Sequence, residues 1–592
     1  MHLVAAILIA IPFSVFLNLP PLPDFPKQLL GILVVLVFVQ VVLFRSGKTV
    51  SYSKMLLPFL LVMAWFGLVS YLNYGDFYFS LWNLIFVMFF GGLCLVLSPC
   101  AVRVWGDENV KRTISFGLVL AASVVCCFGL LRFYGIFKFL VPWVQVDGNR
   151  LIGPWGQPNL TGLIIVLGLM SLVSISSARN KVLGAAFLFI SAIFIYSGIM
   201  TGSRAWLVLF FGYIFLLFIS GFTASEPRGR FFLSGSRLSA LVLLFVFSII
   251  YPVSDDIDAS IAGPLQEYGV LDRYQASEML ERHKDFSGGA RLNEWKKIYL
   301  YPILAEDPWF GYGVGRYGAF SNQAAVERGL IGHNKNYWNN AHNFLIMALV
   351  EGGFIGLFLV ASAFFVLLFC LLKNVLAGVS FYYSSLAIVL LVQNLVEFSF
   401  WYLPFLFLFL FVVGLLFKSG RFDFSHAGTV KSLSVGVALV FVPIGFLASK
   451  DYFTITNYFY KSFYSVARVE GADEYALKLS KTSDILGYAA WETDILANQP
   501  PVNNWEHQLS RVVELWTWRP IQAYSVRRAG LLTALSSEKA CNALRTTTLL
   551  YPDSFPKLNE ELRFFYSIKG EEYPIKSYLS CAMSGMNRWL DG

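Results

Sequence analysis

Long apolar runs separated by short polar stretches form the main pattern of the chain, from the N-terminus to about residue 449. Each run has about 17 to 25 residues, enough for a helix to cross a hydrocarbon core of about 30 Å. The pattern therefore predicts about 13 membrane-spanning helices. Their approximate ranges are 2–19, 28–45, 54–72, 79–99, 113–135, 159–177, 181–199, 203–221, 237–253, 342–372, 377–398, 402–418 and 431–449. The first run lacks the basic start and small-residue cleavage site of a signal peptide, so we interpret it as a retained span.

Composition supports the same class of protein. Of the 592 residues, 57% are hydrophobic and 14% are charged, whereas soluble domains carry about 25% charged residues. The formal net charge is +8, but no basic arm with interleaved aromatic residues accompanies it. We therefore expect no nucleic-acid partner and take the positive charge as a signal of membrane orientation.

Basic residues fall in alternate connections between the predicted spans, which predicts that those connections and the N-terminus are cytoplasmic. They are Arg45, Lys48, Lys54, Arg103, Lys111, Arg112, Arg179, Lys181, Arg228, Arg230, Arg237, Lys373, Lys418, Arg421 and Lys431. Alternation then places the other connections outside, including the long segment 254–341.

The region after residue 449 loses the apolar runs and gains helical spacing of alanine, leucine and aromatic residues. We predict two domains, a transmembrane domain over 1–449 that includes the outer loop 254–341, and a helical soluble domain over 450–592 on the outer side. Cys541 and Cys581 lie in this second region. They either form a disulfide or remain free thiols, and a disulfide would require an extracytoplasmic location.

Polar residues stand at the predicted outer ends of two spans. Arg150, Gln157 and Asn159 lie in "GNRLIGPWGQPNLTG", just before the sixth span, and Arg204 lies in "TGSRAWL", before the eighth. An arginine on the outer side runs against the positive-inside bias and needs an anionic partner when it is half-buried. We consider Arg204 a candidate phosphate ligand; snorkelling to lipid headgroups is the alternative.

The long outer segment contributes a third polar group. Arg291, Glu294 and Trp295 have i, i+3 and i+4 spacing, which predicts that one helix face rests on the membrane surface while Arg291 points at a ligand at headgroup level. The nearby "GYGVGRYG" follows no predicted strand and opens no helix of an alternating strand and helix pattern. It is therefore not a dinucleotide-binding motif.

A histidine at the outer mouth of the tenth span is the candidate general base. His342, followed by Asn343, could take a proton from a hydroxyl group, and a structural helix-end histidine is the alternative. His333 and His283 are weaker candidates for the same role. The stretch "VEFSFWYLP" adds Glu397 and Tyr402 near the start of the twelfth span.

A reaction on the outer face of the membrane has no ATP available, so an activated group must arrive on a carrier. A sugar linked to a lipid pyrophosphate meets that need, since arginines would neutralise the leaving group and a base would activate an acceptor hydroxyl. We identify no cluster of histidine and cysteine residues with metal-ligand spacing in the sequence, and we expect neither a metal nor a cofactor.

Several motifs together resemble a known family. They are "GPWGQPNLTG", "GSRAWL", "RLNEW" followed by "DPWFGYGVGRYGAF", "NNAHNFLIMALVEGGFIG" and "EFSFWYLPF". In order and topology they resemble the bacterial O-oligosaccharyltransferases that glycosylate pilins and other exported proteins, within the O-antigen ligase and polymerase superfamily. The C-terminal region is similar to the extra domain of the longer pilin-glycosylating members.

The resemblance implies an all-α polytopic inner-membrane protein, GT-C-like, with a long periplasmic loop and a periplasmic C-terminal helical domain. It implies transfer of a whole glycan from undecaprenyl pyrophosphate to a serine or threonine hydroxyl of a periplasmic protein such as pilin, without a metal. His342 matches the proposed base, and Arg204 and Arg291 match arginines that engage the pyrophosphate. Gln157 and Tyr402 match further motif residues of the family.

Three other functions stay open. An O-antigen ligase would use the same base but a lipid A-core acceptor, and a Wzy-type polymerase would extend another lipid-linked repeat. A flippase or transporter would instead place facing polar residues near mid-membrane, whereas the polar residues here gather at one side.

Overall fold

The computed structural model describes residues 2–16, 18, 22–46, 49–74, 78–136, 150–176, 181–220, 235–270, 289–300, 308–328, 338, 340–417, 419–423, 426–464, 505–518, 522–551, 554–569 and 580–583. Within these ranges the chain is mostly helical. The alternative bases His333 and His283 lie outside the described residues.

The α-helices, in chain order, are α1 (His2–Ser14), α2 (Phe25–Arg45), α3 (Leu56–Tyr74), α4 (Tyr78–Trp105), α5 (Asp107–Phe133), α6 (Pro158–Ile175), α7 (Lys181–Met200), α8 (Arg204–Ile219), α9 (Gly235–Ile250), α10 (Ser254–Glu267), α11 (Gly289–Leu300), α12 (Tyr317–Arg328), α13 (Phe344–Leu376), α14 (Phe381–Val396), α15 (Leu403–Leu416), α16 (Ala427–Tyr464), α17 (Trp505–Trp518), α18 (Gln522–Ala534), α19 (Ala540–Leu550) and α20 (Phe555–Lys569). Each predicted span overlaps one of the apolar helices α1 to α9 and α13 to α16.

Among the described residues, 8 helices are long and apolar enough to cross a membrane, and five shorter apolar helices accompany them. Together they are consistent with a polytopic helical membrane protein. The number of crossings, 13, stays a prediction.

The expectation of an all-α fold misses one short sheet. Strands β1 (Thr49–Ser53) and β2 (Ser419–Asp423) pair antiparallel, with Thr49 opposite Asp423. Both strands lie in connections that carry basic residues. Backbone N–H and C=O groups of these two connections form hydrogen bonds with each other, a pairing that hydropathy patterning does not reveal.

The chain forms two compact units. The first unit comprises residues 1–61, 85–286 and 362–449, and the second comprises 62–84, 287–361 and 450–592. The predicted boundary between residues 449 and 450 lies inside α16. The two predicted domains stay a prediction.

Helix α6 forms the centre of the first unit. It is buried over most of its length and packs against α5, α7, α8 and α14. Trp206 on α8 fits between α6 and α7, where Gly162 and Gly198 leave room for the indole; a Cβ atom at either glycine would collide with it. This packing fixes the start of α8, and therefore the position of Arg204.

In the second unit, α11 packs on α12, and α12 packs on the C-terminal helices α17 and α19. The C-terminal helices share an apolar core that includes Trp505, Tyr524 and Phe565. A disulfide joins Cys541 to Cys581, so the first of the two alternatives for these cysteines holds.

Candidate functional site

One group of candidate residues meets around Glu397 in the first unit. The carboxylate accepts a hydrogen bond of 3.2 Å from Gln157 Nε2 and another from Asn159 Nδ2. Glu397 is 2% exposed, and a buried carboxylate requires such donors. The start of α6 and the end of α14 are therefore joined by three candidate residues that come from two separate stretches of the sequence.

Ser203, which the sequence analysis did not select, extends this group. Its hydroxyl donates to Asn159 Oδ1 at 2.7 Å and accepts the backbone N–H of Trp206 at 3.2 Å. Ser203 is thus the N-cap of α8. Arg204 follows it as the first residue of the helix and is exposed. The positive end of the helix dipole and the guanidinium together suit an anion such as phosphate.

Arg150 binds backbone carbonyl groups of the protein in this structure. Its guanidinium donates to the carbonyls of Thr201, at 2.7 Å, and Gly202, at 3.2 Å. These bonds hold the turn before Ser203. The geometry gives Arg150 a positioning role, and its predicted role in substrate binding stays a prediction.

Tyr402 lies between α14 and α15, next to the loop that precedes α6. Its ring makes an edge contact with Trp155, with 4.9 Å between centroids. Trp155 in turn lies under the ammonium group of Lys27, at 4.9 Å. The aromatic pair therefore joins the two loops that carry Gln157 and Glu397.

Polar residues near the start of α2, which the sequence analysis did not select, anchor the same two loops. Asn18 Nδ2 donates to the carbonyl of Pro154 at 2.8 Å, and Gln28 Oε1 accepts the N–H of Leu403 at 2.6 Å. Lys27 is fully buried and bonds to both Asn18 and Asp24. The sequence signal for this group is the lysine in the first turn of an apolar helix, because a buried ammonium group needs polar partners nearby.

His342, in the second unit, lies in the loop immediately before α13. It is half-buried, and its backbone has a φ of +50°, in the left-handed region. That conformation is uncommon for residues other than glycine, and such strained positions concentrate at functional sites. The imidazole makes an edge contact with Trp338, with 5.0 Å between centroids.

Asn343 has a structural contact at the same place. Its Oδ1 accepts the backbone N–H groups of Leu345, at 2.9 Å, and Ile346, at 3.2 Å. The side chain therefore caps the N-terminus of α13. The structure accounts for Asn343 as a residue that fixes the helix start beside His342, and its predicted contact with substrate stays a prediction.

The expectation that one face of α11 rests on the membrane surface is at odds with the contacts of that face. Glu294 is fully buried, and its carboxylate pairs with Lys297 at 2.7 Å. It also accepts hydrogen bonds from Tyr317, at 3.1 Å, and Ser321, at 2.5 Å. Burial, reinforced by the charge of Glu294, raises the pKa of Tyr317, so its hydroxyl remains a proton donor. Half-buried Arg291 lies one turn earlier.

The glycine-rich segment "GYGVGRYG" packs against a break in α13. Gly353 interrupts that helix with a φ of +66°, and a Cβ atom there would strike the backbone of Trp309. The carbonyls freed by the break, those of Val350 and Glu351, accept the N–H groups of Tyr312 at 2.9 Å and Gly313 at 3.0 Å.

The same segment surrounds the buried carboxylate of Glu351. The backbone N–H groups of Gly315, Arg316 and Tyr317 all donate to it, the first at 2.9 Å. The amides that would cradle phosphate in a nucleotide-binding loop thus bind a side chain of the protein itself. This agrees with the rejection of a dinucleotide-binding motif.

The region from α7 to the first half of α13 is similar to a known protein family. A family model described as O-antigen ligase matches residues 186–361. The match supports the O-antigen ligase and polymerase superfamily. No curated protein matches the chain.

The matched range contains Arg204, Arg291 and His342, and ends before Glu397. It supports glycan transfer of the O-antigen ligase type, by a family of glycosyltransferase-like ligases and polymerases. That family implies a lipid-linked oligosaccharide donor and an acceptor. Together with the apolar helices, the match points to a multi-pass membrane protein.

Proposed function

We propose that this protein is an O-linked oligosaccharyltransferase. It moves a glycan en bloc from undecaprenyl pyrophosphate to a serine or threonine hydroxyl of a periplasmic protein such as pilin. The observation that carries the proposal is His342, held in a strained conformation at the mouth of α13, inside the range that matches the O-antigen ligase family.

The proposed reaction is a displacement at the anomeric carbon of the first sugar. The imidazole of His342 takes the proton of the acceptor hydroxyl, whose oxygen bonds to that carbon. The bond from the same carbon to the pyrophosphate oxygen breaks, and the lipid pyrophosphate leaves with the electron pair. Arg204 and Arg291 stabilise its negative charge, so the proposed reaction uses no metal.

In this proposal, the group around Glu397 binds the glycan. The carboxylate draws the NH2 groups of Gln157 and Asn159 toward itself, because an ionised carboxylate only accepts hydrogen bonds. The side-chain oxygen of Gln157 is thereby turned away from Glu397 and serves as an acceptor for a sugar hydroxyl or amide. Tyr402 supplies an aromatic face for a sugar ring.

Two features support an inner-membrane topology with the N-terminus in the cytoplasm. Pairing of β1 with β2 requires an even number of crossings between them, and ten predicted spans lie there. The disulfide between Cys541 and Cys581 supports a periplasmic C-terminal region, because disulfides persist in oxidising compartments.

A lipid A-core acceptor is the second candidate, because the matching family model is described as O-antigen ligase. The C-terminal helices favour a protein acceptor instead. Helices α17 and α19 pack on α12, and Asn322 of α12 donates to the hydroxyl of Tyr551 at 3.1 Å. They form a folded surface of the second unit that a short lipid-linked acceptor would not require.

Purified protein incubated with lipid-linked oligosaccharide and equal amounts of pilin and lipid A-core tests the proposal. Intact mass spectrometry of each acceptor and of the donor distinguishes the outcomes. We expect pilin to gain the mass of one whole glycan. Glycan on lipid A-core alone would establish the ligase, and longer lipid-linked chains without either product would establish a polymerase.

A further inference from the structure

Helix α11 makes a contact with the loop of His342 that neither the sequence motifs nor the proposed chemistry requires. The indole Nε1 of Trp295 donates a hydrogen bond of 2.7 Å to the backbone carbonyl of Ala341. Ala341 directly precedes His342, so this carbonyl belongs to the peptide group that carries the N–H of His342.

The other side of the same peptide group is also held. The backbone N–H of His342 donates to Asn340 Oδ1 at 3.0 Å. Trp295 and Asn340 thus fix both polar atoms of one peptide plane, and that plane defines the φ of +50° at His342. A strained conformation of this kind is unfavourable by itself and persists only where the surroundings hold it.

Helix α11 is a rigid base for this contact. Glu294, next to Trp295, is fixed to Lys297 and to two hydroxyl groups on α12, and all of these groups are buried. Lys297 also donates to Ser321 Oγ at 2.9 Å. Breaking such a satisfied buried network is costly, so α11 has little freedom to rotate or slide on α12.

We propose that Trp295 is a positioning residue that fixes the backbone of His342. Arg291 lies one helical turn before Trp295 on α11, so this contact also sets the placement of His342 relative to Arg291. The inference rests on the proposed function, in which Arg291 binds the pyrophosphate and His342 activates the acceptor. One helix then determines how far the proton acceptor lies from the leaving group, and small displacements of such groups are costly to catalysis.

The test compares the full-length variants Trp295→Phe and Asn340→Ala with wild type. Trp309→Phe is the matched control, because Trp309 is 58% exposed and lies in the same unit. Hydrogen exchange of the peptide spanning 338–346 measures the hold on the loop without requiring activity. Transfer kinetics on pilin measure its consequence.

For both variants we expect exchange at 338–346 to rise about fivefold, as for the loss of one neutral hydrogen bond, with kcat lower by a similar factor. The KM for the lipid-linked donor should stay within about twofold, because Arg291 is unchanged. Exchange in α20, which has no part in the contact, should equal that of wild type and show that the variants are folded.

Unchanged exchange at 338–346 in Trp295→Phe would overturn the inference, and so would faster exchange with an unaltered kcat. If wild type transfers glycan to no acceptor, the proposed function fails. Exchange then decides independently whether Trp295 holds the His342 loop.

Discussion

The side-chain amide of Gln157 donates to the carboxylate of Glu397 at 3.2 Å, although 240 positions separate the two residues in the chain. The bond joins the entry of α6 to the exit of α14. Asn159 donates to the other carboxylate oxygen and accepts from Ser203. Four polar groups thus form one continuous set in which each has a partner, and such networks hold side chains in a single orientation.

Replacement of the central carboxylate, Glu397→Gln, should disrupt this set while preserving its size. A neutral amide gives weaker bonds to Gln157 and Asn159 and allows both side chains to turn over. Hydrogen bonds to a charged group contribute about 1.5 to 3 kcal/mol, so we expect transfer to fall about tenfold to hundredfold. Initial rates of glycan transfer at saturating donor measure the change.

The matched control for this substitution is Glu108→Gln, on α5. The side chains of Glu108 and Arg112 form an ion pair and are each 63% exposed, and pairs of this kind contribute little. We expect wild-type rates from the control. Equal rates in Glu397→Gln and Glu108→Gln would show that the carboxylate does not organise Gln157 for transfer.

Loss of the Ser203 hydroxyl should affect both stability and activity. Ser203→Ala removes the N-cap of α8 and a partner of Asn159, and an N-cap contributes about 1 kcal/mol. We expect a lower thermal midpoint in detergent and slower transfer. Ser203→Thr keeps a hydroxyl and should retain most of both; equal losses in the two variants would contradict the role assigned to that hydroxyl.

The disulfide gives a test of stability and topology together. Its closure of a 40-residue separation should contribute about 3 to 4 kcal/mol to the stability of the C-terminal helices. Reduction should therefore lower their unfolding temperature. Thiol labelling of protein isolated from cells should reach Cys541 and Cys581 only after reduction. Labelling without reductant would remove the support that the disulfide gives to a periplasmic location.

An ion pair in the C-terminal region joins buried Arg527 of α18 to half-buried Glu561 of α20. Burial raises the pKa of Glu561, and the charge of Arg527 partly offsets this effect. Glu561→Gln removes the carboxylate that pairs with this guanidinium, and breaking a buried pair of this kind costs about 3 to 5 kcal/mol. Hydrogen exchange in α20, measured at increasing denaturant concentration, should show this loss of unfolding free energy.

Two further variants sharpen that measurement. Glu560→Gln, at the adjacent exposed position, should leave stability unchanged. The apolar pair Arg527→Leu with Glu561→Leu should recover most of the loss, because no buried charge remains. No recovery would indicate that the helices need the ion pair for a reason other than charge compensation.

Apolar patterning locates the long apolar helices, because a segment that spans a membrane must be apolar over a whole helix length. It could not show β1 and β2, whose pairing depends on loops that meet only after the helices have packed. It also could not show that the Glu294 face of α11 is buried in protein, since an amphipathic spacing is the same for a lipid surface and for a protein neighbour.

Among the site residues, the sequence indicates Gln157, Asn159 and Glu397, because polar groups at a membrane boundary need a reason, and the structure brings them together. The sequence does not indicate Ser203, and it indicates Trp295 only through its helical spacing, because a cap and a backbone contact depend on partners that the local sequence does not identify. For Arg150 and Asn343 the structure shows bonds to backbone, a use that residue type alone does not reveal.

In the proposed reaction His342 takes the proton of the acceptor hydroxyl, so the decisive experiment measures glycan transfer to pilin by His342→Ala. The control is His426→Ala, at an exposed position outside the site, and each protein is assayed at equal folded concentration by intact mass spectrometry. We expect glycosylated pilin from wild type and from the control, and transfer reduced at least about hundredfold in His342→Ala. Transfer by His342→Ala at the wild-type rate would contradict it.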